Sequence, residues 1–315
     1  MKTNKIYAIA IALGLQFGTA AHAESLTENA AAASETAVEK VSLKVPNFAR
    51  PLVEKLASEY KKENRNVEIE FVSAKAQNSQ NTVQLTTNSD DAVAFARYAV
   101  LPVTTKGSEA DQVLSETALN AKKLKNLFFV KDELDDERKE TKAEKLVHVY
   151  TGNSQQSASR AYAAHFEHEA SDYKGKKISG DDSYLNTAIS RDPQGVTINS
   201  LSNIFDLQSR QVRQELSIVP LDLGKQGKQV LSEGDLDKVL ALLEKQEFDE
   251  VPVANVGLDF DHQSKAARKF AAWVLSHGSE FVHQYGLLQL SQKELSAQAK
   301  RAQETNENSN ILACL

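Results

Sequence analysis

The stretch DDAVAFARYAVLPVTTK, residues 90–106, decides the fold. Its centre, AVAFARYAVLPV (92–103), is a nearly continuous apolar run rich in β-formers. A strand with one face in water alternates apolar and polar residues, whereas one covered on both faces does not, so this run reads as a strand buried inside a sheet. LVHVYT (146–151) and LSIVPLDL (216–223) have the same character. On the N-terminal side VSLKV, from Val41, reads as a short strand. PLVEKLASEYKK follows as an amphipathic helix with Leu52, Val53, Leu56 and Tyr60 on one side, and VEIEFV as a second strand, which makes a βαβ unit. Helical patterns alternate with the later strands: ALNAKKLKNLFF, ASRAYAAHFEHEA, LDKVLALLEKQ and SKAARKFAAWVLSHGSEFVHQYG, the last broken at Gly278 and capped at Gly286. Strands alternating with helices predict an α/β fold, and the length suits two domains of about 100–200 residues each.

The remaining composition narrows the function classes. Of 315 residues 41% are hydrophobic and 25% charged, the profile of a globular chain rather than a collagen, coiled coil or disordered protein. The net charge of −6 provides no basic face for a phosphate backbone, so nucleic acid is not an expected partner. A single cysteine, Cys314, rules out an internal disulfide framework and any CxxC metal or redox site.

Residues 1–23 read as a secretory signal peptide, with Lys2 and Lys5 before an apolar Ile6–Leu15 segment and Ala21, His22 and Ala23 as an AxA cleavage site. Cleavage near Ala23 would leave a periplasmic or secreted protein beginning at Glu24, not an integral membrane protein, since no later apolar run approaches the length of a membrane span. Residues 24–40, mixing Ala, Ser, Thr and Glu without period, read as a flexible leader. KDELDDERKETKAEK (131–145) reads as a solvated loop or exposed helix.

Enzyme signatures are missing. GxSxG, HExxH, Walker A and GxGxxG patterns do not occur, and no nucleophile can be paired with a base by spacing. His165 and His168 stand three apart on a helix, a spacing that could offer two imidazoles to a metal, although solvent-facing polar residues explain them more simply. LGKQGK (223–228) reads as a surface turn. No metal, cofactor or catalytic residue is expected.

Three stretches together resemble the phosphate-type substrate-binding proteins of ABC importers. DDAVAFARYAVLPV resembles the family's "DIAxxSR" segment and following strand, with Asp91 and Arg97 six apart. SRDPQGVTINSLSNIFD (190–206) followed by LSIVPLDL resembles its "pgaIGY" and "piD" region, and FAAWVLSHGSEFVHQYGLLQL its closing helix and "GfxpL" end. ARYAVLPVTTK is similar to the "GRYALLPVTNK" of a Bacteroidetes-type branch. The resemblance spans about residues 41–291 and implies a two-lobed periplasmic binding protein fold of type II with two crossovers between lobes. It places lobe one at 41–102 plus 253–311 and lobe two at 103–252, with the N-terminal strands and LVHVYT in separate sheets and hinges near Leu101–Thr105 and Val251–Val256.

The same resemblance implies the ligand site. The family's "RxxxSGT" turn falls on Asn153 for the arginine and on Ser157, Ala158 and Ser159 for SGT. Its "GSSTVxPL" turn ends on Pro51 and Leu52, so its serine and threonine slots hold Asn47 and Phe48, with Arg50 beside them; Ala96 replaces the serine before Arg97. Candidate ligand-binding residues are therefore Asn47, Phe48, Arg50, Arg97, Asn153, Ser157 and Ser159. Arg97 would stand between the helix N-termini opening at Ser157 and near Pro51, where N–H donors and helix dipoles favour an anion; its structural alternative is an ion pair with Asp91. The implied function is periplasmic capture of a small oxyanion, phosphate by default, by a monomer that hands it to an ABC permease. The alternative is a non-transport accessory or interaction protein with a drifted cleft, consistent with the missing hydroxyls.

Overall fold

The computed structural model describes residues 38–87, 89, 91–130 and 139–312. The signal peptide, nearly all of the leader, Asp90, most of the charged segment and Cys314 lie outside the described residues. The chain opens with the expected βαβ unit: β1 (Glu39–Lys44), α1 (Arg50–Glu63) and β2 (Val67–Val72), with β1 and β2 parallel and Val41 opposite Ile69. β1 thus begins two residues before Val41, inside the stretch read as leader. Pro51 suits the first turn of α1, where a missing N–H costs nothing, and the helix buries Leu52, Val53, Leu56, Ala57 and Tyr60.

Next come β3 (Thr82–Thr86), β4 (Val93–Thr105), α2 (Glu109–Ser115), α3 (Ala121–Phe128) and α4 (Lys142–Leu146). The next run comprises β5 (His148–Gly152), α5 (Ala158–His165), β6 (Lys176–Ile178), α6 (Ser183–Ser190), β7 (Gly195–Ser200), α7 (Leu201–Ile204) and β8 (Leu216–Ile218). The chain returns through α8 (Gly224–Glu233), α9 (Leu236–Lys245), β9 (Val253–Phe260), α10 (Lys265–His277), α11 (Ser279–Val282), β10 (Leu288–Gln289) and α12 (Gln292–Leu312). Tyr60 of α1 meets Phe270 and Trp273 of α10 edge-on, with ring centroids 5.3 and 5.6 Å apart, and Trp273 donates its indole N–H to Glu63. Each such aromatic pair contributes about 0.5–1.5 kcal/mol beyond its buried area, which fixes both helices on the same face of the N-terminal strands.

β4 is the strand that its apolar run predicts, with every residue buried except the half-buried Arg97 and Thr105. Its residues Val93–Ala99 pair antiparallel with β9, while Val100–Thr104 pair antiparallel with β7. The order β2-β1-β3-β9-β4-β7-β5-β6 follows, with β8 and β10 also on β4. The first strand set and the set holding LVHVYT are therefore joined through a shared strand, rather than lying in unconnected sheets as expected. Of the two segments expected to act as hinges, Leu101–Thr105 is strand throughout, at the end of β4, and Val251–Val256 enters β9 at Val253.

Three local readings change with tertiary context. β9, whose VANVGLDF mixes apolar residues with Asn, Gly and Asp, carries no clear strand pattern, yet it is the neighbour of β4. LGKQGK is not a turn: Leu223 is the N-cap of α8 and Gly224–Lys228 form its first turns. In ASRAYAAHFEHEA the helix stops at His165, and Glu167 adopts φ 61°, which ends helical geometry.

Candidate functional site

A cleft of about 800 Å³ opens at the carboxyl ends of β1, β2, β5 and β6. Parallel strands of an α/β sheet present their connecting turns at this end, and ligands settle there. One wall is the turn into α1, with Asn47, Phe48 and Arg50, and the other is formed by Ser154–Gln156 before α5 and by Gly180–Asp182 with Tyr184 at α6. The structure thus brings Asn47, Phe48 and Arg50 to the cleft and sets the Asn153–Ser157 turn against it.

The α5 turn is organised around a residue absent from the sequence expectation. Asp182 accepts hydrogen bonds from the Ser157 hydroxyl at 2.7 Å and the Ala158 N–H at 2.6 Å. These are the donors that the resemblance assigns to a bound oxyanion. Ser157 is 1% exposed, and its Oγ also accepts the Ser159 N–H at 3.2 Å. Ser159, fully buried, uses its hydroxyl oxygen to accept the Gly152 N–H at 2.8 Å, so it closes the turn rather than facing the cleft. Gly152 makes the approach possible: a Cβ there would stand 2.2 Å from Ser157 Oγ and 2.5 Å from Asp182 Oδ1. Burial raises the Asp182 carboxyl above its usual range, against the Ser157 and Ala158 donors, which lower it. Asn153 is exposed and donates from its amide to Ser179 Oγ at 3.0 Å.

Gln156 ties the turn before α5 to the first strand set. Its Oε1 accepts the Thr87 N–H at 3.0 Å and the Thr87 hydroxyl at 2.9 Å, and its Nε2 lies 3.4 Å from Thr86 Oγ1. These contacts join the end of β3 to the turn before α5. Phe48 packs against Tyr98 of β4 with ring centroids 5.4 Å apart. The Tyr98 hydroxyl, buried near Thr87 and Asp182, is held well above the usual tyrosine value by burial.

Arg97 is not brought to this site. Successive residues of a strand face opposite sides, and since Tyr98 contacts Phe48, Arg97 turns to the other face, where its guanidinium lies 3.7 Å from Glu294 of α12. The pairing with Asp91 does not form either: the register shift between Ala94 and Ala96 breaks the even spacing that would set residues 91 and 97 on one face. Arg50 donates to Glu54 at 2.8 Å and lies over the Phe71 ring at 4.7 Å. His165 and His168 diverge, the first bonded to the Asp249 carbonyl at 2.9 Å and the second stacked on Phe129, and the described residues hold no group of three or more His, Cys, Asp or Glu fit for a metal.

Sequence reasoning missed Asp182 and Gln156. The signal for Asp182 was present in GDDSY, where an acidic residue precedes a helix; its side chain, however, serves α5 rather than α6, for which it is the N-cap residue.

No family model and no curated protein matches the chain. Among solved structures it is similar to an ABC-type phosphate transport receptor from Vibrio cholerae, at 12% identity and a TM-score of 0.52, covering 80% of this chain and 100% of that one. PstS from Borrelia burgdorferi matches at 12% identity, 80% and 99% coverage and a TM-score of 0.45. The CcmR regulatory domain from Synechocystis, solved with 2-PG, matches at 13% identity, 76% and 96% coverage and a TM-score of 0.46. At such identities a likeness concerns the fold alone. With its shared β4 and its mixed sheet, the chain has the two-lobed α/β fold of the periplasmic binding proteins.

Proposed function

We propose that this chain is an exported, non-catalytic solute-binding protein of ABC-type uptake, which captures a small polar solute in the cleft between α1 and α5 and passes it to a permease. Lobe one is taken as 41–102 plus 253–311 and lobe two as 103–252, meeting where Val100 N–H bonds to the Pro252 carbonyl at 3.0 Å. The observation that carries the reading is the cleft itself: about 800 Å³, walled by turns from both strand sets and bridged by Gln156. That volume is in the range of small-molecule sites. No helix among the described residues is long and apolar enough to cross a membrane, which fits a protein released after signal cleavage near Ala23.

Phosphate, the ligand of first expectation, would have to displace Asp182 from the Ser157 and Ala158 donors. That occupancy favours a second reading, in which the fold persists as an accessory or interaction protein. A thermal-shift panel decides between them. Phosphate, sulfate and molybdate, glucose, ribose, sorbitol and maltose, and spermidine and betaine are each titrated into the mature chain. A true ligand at a hundredfold excess over its Kd stabilises by about 2.7 kcal/mol. No response across the panel refutes solute capture and leaves the accessory reading.

A further inference from the structure

An oxyanion receptor of this architecture needs unengaged N–H groups or a free cation facing its cleft. Here the backbone donors that open α5 are engaged, as are those of Ala49 and Arg50 at the start of α1. At α1, the Ala49 N–H donates to the Pro46 carbonyl, the Arg50 N–H to the Asn47 carbonyl, and Pro51 has no N–H. At α5, the N–H groups of Ser157 and Arg160 go to the Ser154 and Ser157 carbonyls, that of Ala158 to Asp182, and that of Ser159 to Ser157 Oγ. At α6, Ser183 and Tyr184 donate to the Asp181 carboxylate and carbonyl, and Leu185 to the Asp182 carbonyl.

The cations at the cleft are engaged as well. Lys44, 7% exposed, donates to the Ala76 carbonyl and to Asn78 Oδ1, while Arg50 is held by Glu54 and the Phe71 face. The cleft's own charges are balanced, Lys44 and Arg50 against Asp181 and Asp182.

Among the cleft's side chains, those that remain unengaged are neutral. The side chains of Asn47 and Gln84 and the Tyr184 hydroxyl line the cleft and make no hydrogen bond among the described residues, and Tyr184 is 56% exposed. An amide both donates and accepts, as does a phenol, so these groups match ligand hydroxyls, which do the same. The rings of Phe48 and Tyr184 offer apolar faces to the C–H side of a sugar.

We propose that the cleft binds an uncharged, polyhydroxylated solute of mono- to disaccharide size, held by the Asn47 and Gln84 amides and the Phe48 and Tyr184 rings, with Asp182 standing as a built-in anion where a free oxyanion would otherwise sit. This rests on the solute-capture reading. The cleft volume of about 800 Å³ accommodates such a ligand.

The test is calorimetric titration of the mature chain with glucose, ribose, sorbitol and maltose, alongside inorganic phosphate and sulfate, repeated on Asn47→Ala and Gln84→Ala. The expected result is saturable binding of at least one neutral probe, none of phosphate or sulfate, and at least about a tenfold weaker Kd in each variant, the loss typical of a ligand hydrogen bond. Binding of phosphate or sulfate by the unaltered chain overturns the inference while leaving solute capture intact. Neutral binding that is unchanged in both variants overturns it too. Failure of all four neutral probes overturns it, and failure of every other probe of the thermal-shift panel as well removes solute capture with it.

Discussion

Replacing Asp182 with Ala removes one acceptor that satisfies two buried donors, Ser157 Oγ at 2.7 Å and the Ala158 N–H at 2.6 Å. Hydrogen bonds to a charged acceptor contribute about 1.5–3 kcal/mol each, a gross loss of about 3–6 kcal/mol. Relief of a desolvated carboxylate opposes that loss. Burial raises its carboxyl, so the ionised form is held less favourably in the folded chain than in water and part of the gross loss is recovered when the group is removed. The expected net destabilisation at pH 7 is about 1–3 kcal/mol. Urea unfolding followed by the fluorescence of Trp273, the chain's single tryptophan, measures it. The pH dependence has a definite sign. A raised native pKa means that the folded chain binds the proton more tightly than the unfolded one, so the contribution of Asp182 is fully present below the ordinary carboxylate value of 3.8 and is lost as pH rises through the native value. The gap between parent and Asp182→Ala should therefore narrow from about pH 4 upward. A variant as stable as the parent at pH 7, or a gap that widens with pH, would refute this account of the α5 turn.

Gly152→Ala should destabilise by about 1–3 kcal/mol, because its new Cβ would stand 2.2 Å from Ser157 Oγ and 2.5 Å from Asp182 Oδ1; an unchanged melting temperature would show that the turn can open freely. Gln156→Ala removes the acceptor for both the Thr87 N–H and hydroxyl, and hydrogen exchange at the Thr87 amide should quicken about tenfold, equal to about 1.4 kcal/mol. Arg97→Ala should cost about 1 kcal/mol or less, since its partner Glu294 is 43% exposed and 3.7 Å away, and should leave ligand binding intact; a loss of binding would return Arg97 to the site.

Periodicity along the chain determined much of this protein. The apolar run at 92–103 specified a strand buried on both faces, and the spacing of Leu52, Val53, Leu56 and Tyr60 specified α1, because both signals depend on neighbours within a few residues. The turn into α1, with Asn47, Phe48 and Arg50, could be assigned to the cleft from a family pattern of the same short range. What only the tertiary structure decided lies between distant residues. Asp182 reaches Ser157 across 25 positions and Gln156 reaches Thr87 across 69, and no local pattern encodes which carboxylate or amide will arrive there. Arg97 was assigned to the cleft by its place in a motif, yet strand alternation and the register shift after Ala94 set it on the opposite face, beside α12. Side-chain direction on a buried strand depends on register with its partners, and β9, the partner that sets it here, joins β4 from more than 140 residues further along the chain.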